Sequence, residues 1–355
     1  MAERPSAGRI GAAVDDRPGH RLVRVVSAAM TQAHLRSADG RPILLAIVGP
    51  TATGKSTLAL TLAEALGGEI VSCDSTAVYR GFDIGTDKVP VSERRGVPHH
   101  LIDVVDPTDV YTAARYSREA AKAVRAVTAR DRLPVLVGGT GLYYRALTRG
   151  LFPGPEGDPL LRARLSRVAR RRGVESLHRW LARHDADSAG RIQPRDEKRL
   201  VRALEVWLLT GRTLTDHFAD TRSLIADYLV ITVALRLTVD ALETRIARRV
   251  DQQFAAGLLD EITTLWARGI PPDAGPFLGL VYRQAVEHLR GLRDEQETRE
   301  LIVRENRRYA RRQLIWFRKE PNLQWIEAPG DEDETYATTL RLLEVARAAP
   351  VSSDR

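Results

Sequence analysis

PILLAIVGPTATGKSTLALTLAEALGG, residues 42–68, decides the fold. Its first nine residues form an unbroken apolar run ending in a glycine turn, the pattern of a strand buried on both faces of a parallel sheet. LALTLAEALGG then carries helical periodicity and closes on a glycine stop. Between the two, GPTATGKS has the Walker A spacing, in the strand–loop–helix context that turns a pattern match into evidence. Gly49 and Gly54 permit a tight turn that aims backbone N–H groups at a phosphate, and the helix N-terminus adds its partial positive charge. The loop therefore predicts a phosphate cradle of Gly49, Pro50, Thr51, Ala52, Thr53, Gly54, Lys55, Ser56 and Thr57. Lys55 is expected to reach the terminal phosphate oxygens and Ser56 to ligate Mg²⁺ through its hydroxyl. The motif by itself also reads as a nucleotide (ATP) site.

Outward from this stretch, EIVSCDS (residues 69–75) reads as a second strand, SREAAKAVRAVTARDR as a helix and PVLVGGTG (residues 134–141) as a third strand. YLVITVAL (residues 228–235) reads as a later strand rejoining the same sheet. Repeated βα units of this kind give an α/β fold, a P-loop NTPase-like parallel sheet flanked by helices. LFPGPEGDP (residues 151–159) is a linker rich in proline and glycine, and residues 160–222 are helical in pattern with no strand-like run. The expected organisation is a core of residues 41–150 and 223–330 interrupted by an all-helical insertion at 151–222. A flexible tail is expected at 1–40 and a C-terminal tail at 331–355.

At 355 residues and 43% apolar content the chain can bury a real core. A single cysteine, Cys73, rules out a disulfide framework and fits a reducing, cytoplasmic compartment. No apolar run approaches the roughly 18 residues needed to cross a bilayer, so no membrane partner is expected. The net charge of +8 is informative because of its placement. Between Arg162 and Arg202 thirteen Arg or Lys stand against five Asp or Glu, a local excess of eight. RENRRYARRQLIWFRK (residues 304–319) sets seven basic side chains against Glu305 alone. Two basic clusters in an otherwise balanced chain point to a polyanion larger than a nucleotide; an arginine-rich coding bias is the bland alternative.

A P-loop does not choose between kinase, hydrolase and transferase. Asp74 ends the second strand, at the carboxyl edge where open α/β sheets bind ligands; it suits a magnesium ligand, a general base or a helix cap. The third strand ends in Gly138, Gly139, Thr140 and Gly141, with no carboxylate where an ATPase usually needs one. His99 and His100 are adjacent, so they point to opposite faces of a strand, and with no third ligand in view they are assigned to structure.

GPTATGKST, DSTAVYRGFDIGTDK, PHHLID, GGTGLYYRAL, the segment 194–206 and RRYARRQLIWFRK, taken in order, resemble the bacterial and mitochondrial tRNA dimethylallyltransferases over residues 42–325. That resemblance implies transfer of the dimethylallyl group of dimethylallyl diphosphate to N6 of adenosine 37, in tRNAs that read codons beginning with U. It makes the P-loop the holder of the donor's diphosphate, Asp74 the general base, and Thr140 and Arg249 catalytic contacts to that diphosphate. It assigns the tRNA anticodon stem-loop to Asp74, Ser75, Thr76, Ala77, Tyr79, Lys198, Arg199, Arg202, Arg312 and Gln313, with simple packing the plainer reading of Tyr79. A monomer is expected.

The chain departs from the family pattern where the acceptor is handled. The family usually has glutamine at Ala77, alanine–lysine–proline where Asp87, Lys88 and Val89 stand, asparagine at Arg195 and glycine at Val281. A glycine permits φ > 0, which valine resists. Donor chemistry thus reads as intact and acceptor recognition as altered. Prenylation of a free adenine nucleotide is the alternative acceptor reading, and a P-loop small-molecule kinase the alternative from another class.

Overall fold

A computed structural model describes residues 35–152 and 154–349. The chain builds one six-stranded, all-parallel sheet in the order β3-β2-β4-β1-β5-β6. The strands are β1 (Ile43–Val48), β2 (Glu69–Ser72), β3 (His99–His100), β4 (Pro134–Gly138), β5 (Leu229–Leu235) and β6 (Leu323–Ile326). All six residues of β1 are buried, because each strand face meets a helical layer. Leu44, Ala46 and Val48 point to one face, where α2 (Ala113–Thr128) and α3 (Gly141–Thr148) supply Tyr116, Ala120, Tyr143 and Tyr144. Ile43, Leu45 and Ile47 point to the other, against Leu58 and Leu62 of α1 (Lys55–Leu66). The alternation is the two-residue period of a strand.

Between α3 and β5 the described residues form only helices: α4 (Pro159–Arg172), α5 (Val174–Ala182), α6 (Ala186–Arg191), α7 (Glu197–Thr210) and α8 (Leu214–Ala219). They start where the sequence offers caps. The Asp158 side chain accepts from the N–H groups of Leu160 and Leu161 just before Pro159, and Asp196 accepts from that of Arg199. These helices pack a core of their own, Leu165, Leu177, Leu181, Leu200 and Leu204. At its edge Glu205, fully buried, accepts from Arg162, Arg202 and the Asp158 N–H, and these donors hold its carboxyl below the usual range against the cost of burial. Glu205→Ala would leave both guanidinium groups without their partner. Melting of the variant is expected to show a loss of about 3 kcal/mol, the low end for a broken buried ion pair because Arg162 and Arg202 still reach water.

After β5 the chain is helical again: α9 (Val239–Ala255), α10 (Leu258–Ala267), α11 (Leu280–Leu289) and α12 (Glu295–Phe317), with Gly257 at φ +94° breaking α9 from α10. Within 331–355, expected as a tail, the structure describes residues 331–349, and these are packed on the core. Residues 333–348 form α13 (Asp333–Ala348), whose Tyr336, Leu340 and Leu343 close the apolar layer over α1. The amphipathic repeat was present in the sequence, but its apolar face is recognisable only once α1 stands opposite it. Residues 1–34 of the expected N-terminal tail lie outside the described residues. Residues 35–40 are anchored, with Ala38 N–H donating to Arg347 O and Leu35 packed on the same layer as α13.

Candidate active site

The strand register brings four strand ends to one edge. Val48 lies beside both Gly138 and Ala234, and Ser72 beside Val137, so Gly49, Asp74, Gly139 and Leu235 emerge together. The loop following β1 wraps the N-terminus of α1 with Gly54 at φ +83° and Ala52 at φ +62°. A left-handed alanine is strained and persists only where neighbours hold it. Here Arg245 of α9 donates to Ala52 O (2.9 Å) and is itself held by Asp331 (2.8 Å), while Gly330 N–H donates to Thr53 O (2.8 Å). Gly330 thus braces the loop directly, and Asp331, the first residue of the stretch expected as a tail, does so through Arg245.

The Lys55 ammonium, folded back onto Pro50 O, sits among the walls of the pocket. Lost hydration, aided by the charge of Arg249 and opposed by Asp74, pulls its pKa down to about 7. Such an ammonium gains most when a phosphate replaces its missing water. Ser56 and Thr57 are exposed at the start of α1, and Ser56 lines the pocket together with Asp74. Among the described residues no three His, Cys, Asp or Glu side chains are grouped to hold a metal. A hard cation here would be completed by phosphate oxygens, the habit of Mg²⁺ in phosphate loops, and the Ser56 hydroxyl fits that role.

Asp74 follows β2 and makes an Asx turn. Its Oδ1 accepts from Thr76 N–H (2.7 Å), Thr76 Oγ1–H (2.6 Å) and Ala77 N–H (3.3 Å), whereas Oδ2 takes no hydrogen bond from any described residue. One oxygen thus fixes the carboxylate and the other stays open to the pocket. Thr140 ties β4 to the same turn, its Oγ1 accepting from Ser75 N–H (3.1 Å). Arg249 of α9 donates from Nη1 to Thr51 Oγ1 (2.9 Å) and from Nη2 to Asp87. Lys55, Asp74 and Arg249 therefore line one cleft, although their sequence separation reaches nearly two hundred residues, and Thr140 is tied to its edge through Ser75.

The residues assigned to tRNA fare unevenly. Gln313 is buried in the cleft wall; its Oε1 accepts from Thr51 N–H (2.9 Å) and its Nε2 donates to Gly139 O (2.9 Å), so its amide ties the loop after β1 to β4. A Cβ at position 139 would lie 2.2 Å from that Nε2, which is why glycine stands there. Arg202 is likewise committed, to Glu205 and to Pro155 O. Lys198 and Arg199 stand on exposed turns of α7, Arg199 paired with Asp196. Arg312 is exposed on α12, above the Tyr309 ring. Ser75 and Thr76 are half-buried beside the cleft, Ala77 is buried in its wall, and Tyr79 packs between two apolar clusters.

Sequence reading missed Tyr309, which lines the cleft and whose phenol burial pushes up to about 12, and Gln253, which donates to Asp87 (2.7 Å). Tyr309 stood inside the quoted basic segment; its facing the cleft was not legible there. His99 lines the pocket with its Nδ1 bonded to Val97 O, and burial keeps it below the usual imidazole range; His100 pairs with Glu69. Val281 does not resist its backbone, because it sits at ordinary φ in the first turn of α11 with its side chain buried. Arg195 is exposed and pairs with Glu175 (2.8 Å).

A parallel sheet with a phosphate loop, a fixed carboxylate and two converging cations defines a P-loop transferase-type site, short of an acid at β4 that hydrolases use. Residues 77–320 match the model of the IPP transferase family. The chain is 46% identical over 298 residues to the tRNA dimethylallyltransferase of Solibacter usitatus, covering 84% of this chain and 96% of that one. It is 43% identical to that of Geobacter sulfurreducens, covering 83% and 95%. Its fold is similar to the crystal structure of the tRNA isopentenylpyrophosphate transferase of Bacillus halodurans, with TM-score 0.62 and 37% identity over 85% of this chain and 97% of that one. This chain belongs to the IPP transferase family. Among the described residues no helix is long and apolar enough to cross a membrane.

Proposed function

We propose that this protein transfers the dimethylallyl group of dimethylallyl diphosphate to N6 of adenosine 37 in tRNAs that read codons beginning with U, and releases diphosphate. The observation that carries the reading is the Asp74 carboxylate, pinned by Oδ1 and open at Oδ2, in the same cleft as Lys55, Thr51 and Arg249. An adenine N6 is a weak nucleophile. As its bond to the allylic carbon forms and the carbon–oxygen bond to diphosphate breaks, Asp74 Oδ2 takes the proton that N6 sheds. Lys55 leaves Pro50 O for the departing diphosphate, and Arg249 meets its other side, so charge is neutralised where it builds. Thr140 offers its hydroxyl to the same group. Ser56 would hold a bound Mg²⁺ through its hydroxyl, and the ion would add to the neutralisation of that leaving group.

Adenosine 37 must leave its stack to reach the cleft. Arg312 on α12 and Lys198 and Arg199 on the helical insertion, all exposed, grip the anticodon stem-loop backbone in this reading, and the loop turn at Ser75–Thr76–Ala77 meets the extruded base. Purified protein with Mg²⁺ and labelled dimethylallyl diphosphate is expected to label unmodified tRNA carrying adenines at positions 36 to 38. Labelling of AMP without tRNA would overturn the acceptor, and ATP consumption with neither acceptor would indicate the kinase.

A further inference from the structure

Asp87 has no place in the chemistry described so far, yet it occupies the cleft. The sequence departs from the family pattern at this position, where a small apolar residue is usual. Its carboxylate faces the pocket beside Thr51 and Asp74 and receives Nη2 of Arg249, while Gln253 donates to the same oxygen. Both arms of the guanidinium are therefore engaged before any donor arrives, one on Thr51 Oγ1 and one on Asp87. A diphosphate that takes Arg249 competes for its positive charge with the Asp87 carboxylate already paired to it.

The turn that carries Asp87 is held in place. Asp87 itself sits at φ +52°. The Lys88 ammonium next to it, only 4% exposed, bonds Asp83, Asp103 and Tyr79 O. Glu261 of α10 accepts from the N–H groups of Asp83 and Ile84 (2.9 Å each), and Tyr282 of α11 accepts from Gly85 N–H (3.1 Å). A Cβ at Gly85 would lie 2.6 Å from the Tyr282 ring, so the loop is pressed directly onto the helical layer. Burial holds the Asp87 carboxyl above the usual carboxylate range even with Arg249 beside it.

We propose that Asp87 is a built-in counter-ion to Arg249 that competes with the diphosphate of donor and product, weakening the hold on both and hastening diphosphate release. The inference rests on the reading of Arg249 as a diphosphate contact. Removing the carboxylate frees the Arg249 guanidinium for the anion, so the gain depends on Arg249.

The test is equilibrium binding of dimethylallyl diphosphate, and separately of inorganic diphosphate, to the full-length protein, with and without Mg²⁺. Asp87→Asn, nearly isosteric, is expected to tighten both roughly tenfold. Asp87→Ala is expected to do the same, and neither change should alter affinity in an Arg249→Gln background. A tightening that persists without Arg249 would show general charge relief and overturn the counter-ion. Unchanged affinity, or weaker binding in both variants, would overturn it too. Weakening confined to Mg²⁺-containing samples would instead make Asp87 a metal ligand. If the unaltered protein binds neither diphosphate, the proposed function falls together with the inference; if it binds both and the variants match it, the inference alone falls.

Discussion

Asp74→Asn is expected to slow prenylation of tRNA by about 10²–10⁴-fold, the usual contribution of a positioned base, with donor affinity essentially unchanged. The substitution is informative because of how the side chain is held. Three donors, Thr76 N–H, Thr76 Oγ1–H and Ala77 N–H, converge on Oδ1. An asparagine must keep its carbonyl oxygen there, which places the amide nitrogen where Oδ2 stood. The Asx turn survives while the open position loses its ability to accept a proton. Single-turnover transfer, read beside equilibrium donor binding, separates the two effects. Full activity in Asp74→Asn would remove Asp74 from the chemistry.

Lys55→Met is expected to weaken dimethylallyl diphosphate binding by about 10²-fold, as loss of one or two charge-assisted hydrogen bonds implies. The loop itself should survive. Thr53 Oγ1 still donates to Pro50 O (2.9 Å), and Gln313, Arg245 and Gly330 hold the adjoining backbone through bonds that do not involve Lys55. Methionine keeps the apolar stem, so the change isolates the charge. The ammonium is already poorly hydrated, which is why its pKa lies near 7 and why a phosphate partner is worth so much to it. Donor affinity equal to that of the unaltered protein, measured by titration at one pH and one Mg²⁺ concentration, would mean that Lys55 stays on Pro50 O and does not serve the donor.

The site was legible where its determinants are local. Gly49 to Ser56 lie within eight residues, and the order strand, glycine turn, helix leaves few conformations for them. Asp74 could be placed at a carboxyl edge because an apolar strand precedes it, and the Asx turn that fixes it spans three residues. The second strand, the GGTG strand end and the strand at 229–235 were readable for the same reason. What local pattern left unread were the contacts of residues whose partners are remote. Gln313 holds Thr51 across 262 positions. Arg202 belongs to a basic cluster on paper and to buried Glu205 in the fold. Val281 looked like a conflict with a glycine position, and the helix α11 simply begins there at ordinary φ.

Sequence alone therefore determined the parallel α/β class, the phosphate loop with Lys55 and Ser56, and the carboxylate at the end of β2, because hydrophobic period and turn chemistry act over a few residues. Only the tertiary structure decided that Arg249 meets Thr51 and Asp87, that Gln313 joins the loop to Gly139, and that residues 330–348 brace the loop and cover α1. Those contacts close chain segments tens to hundreds of residues apart. Their geometry is set by the strand order β3-β2-β4-β1-β5-β6 and by the helices packed on its two faces, which no local stretch encodes.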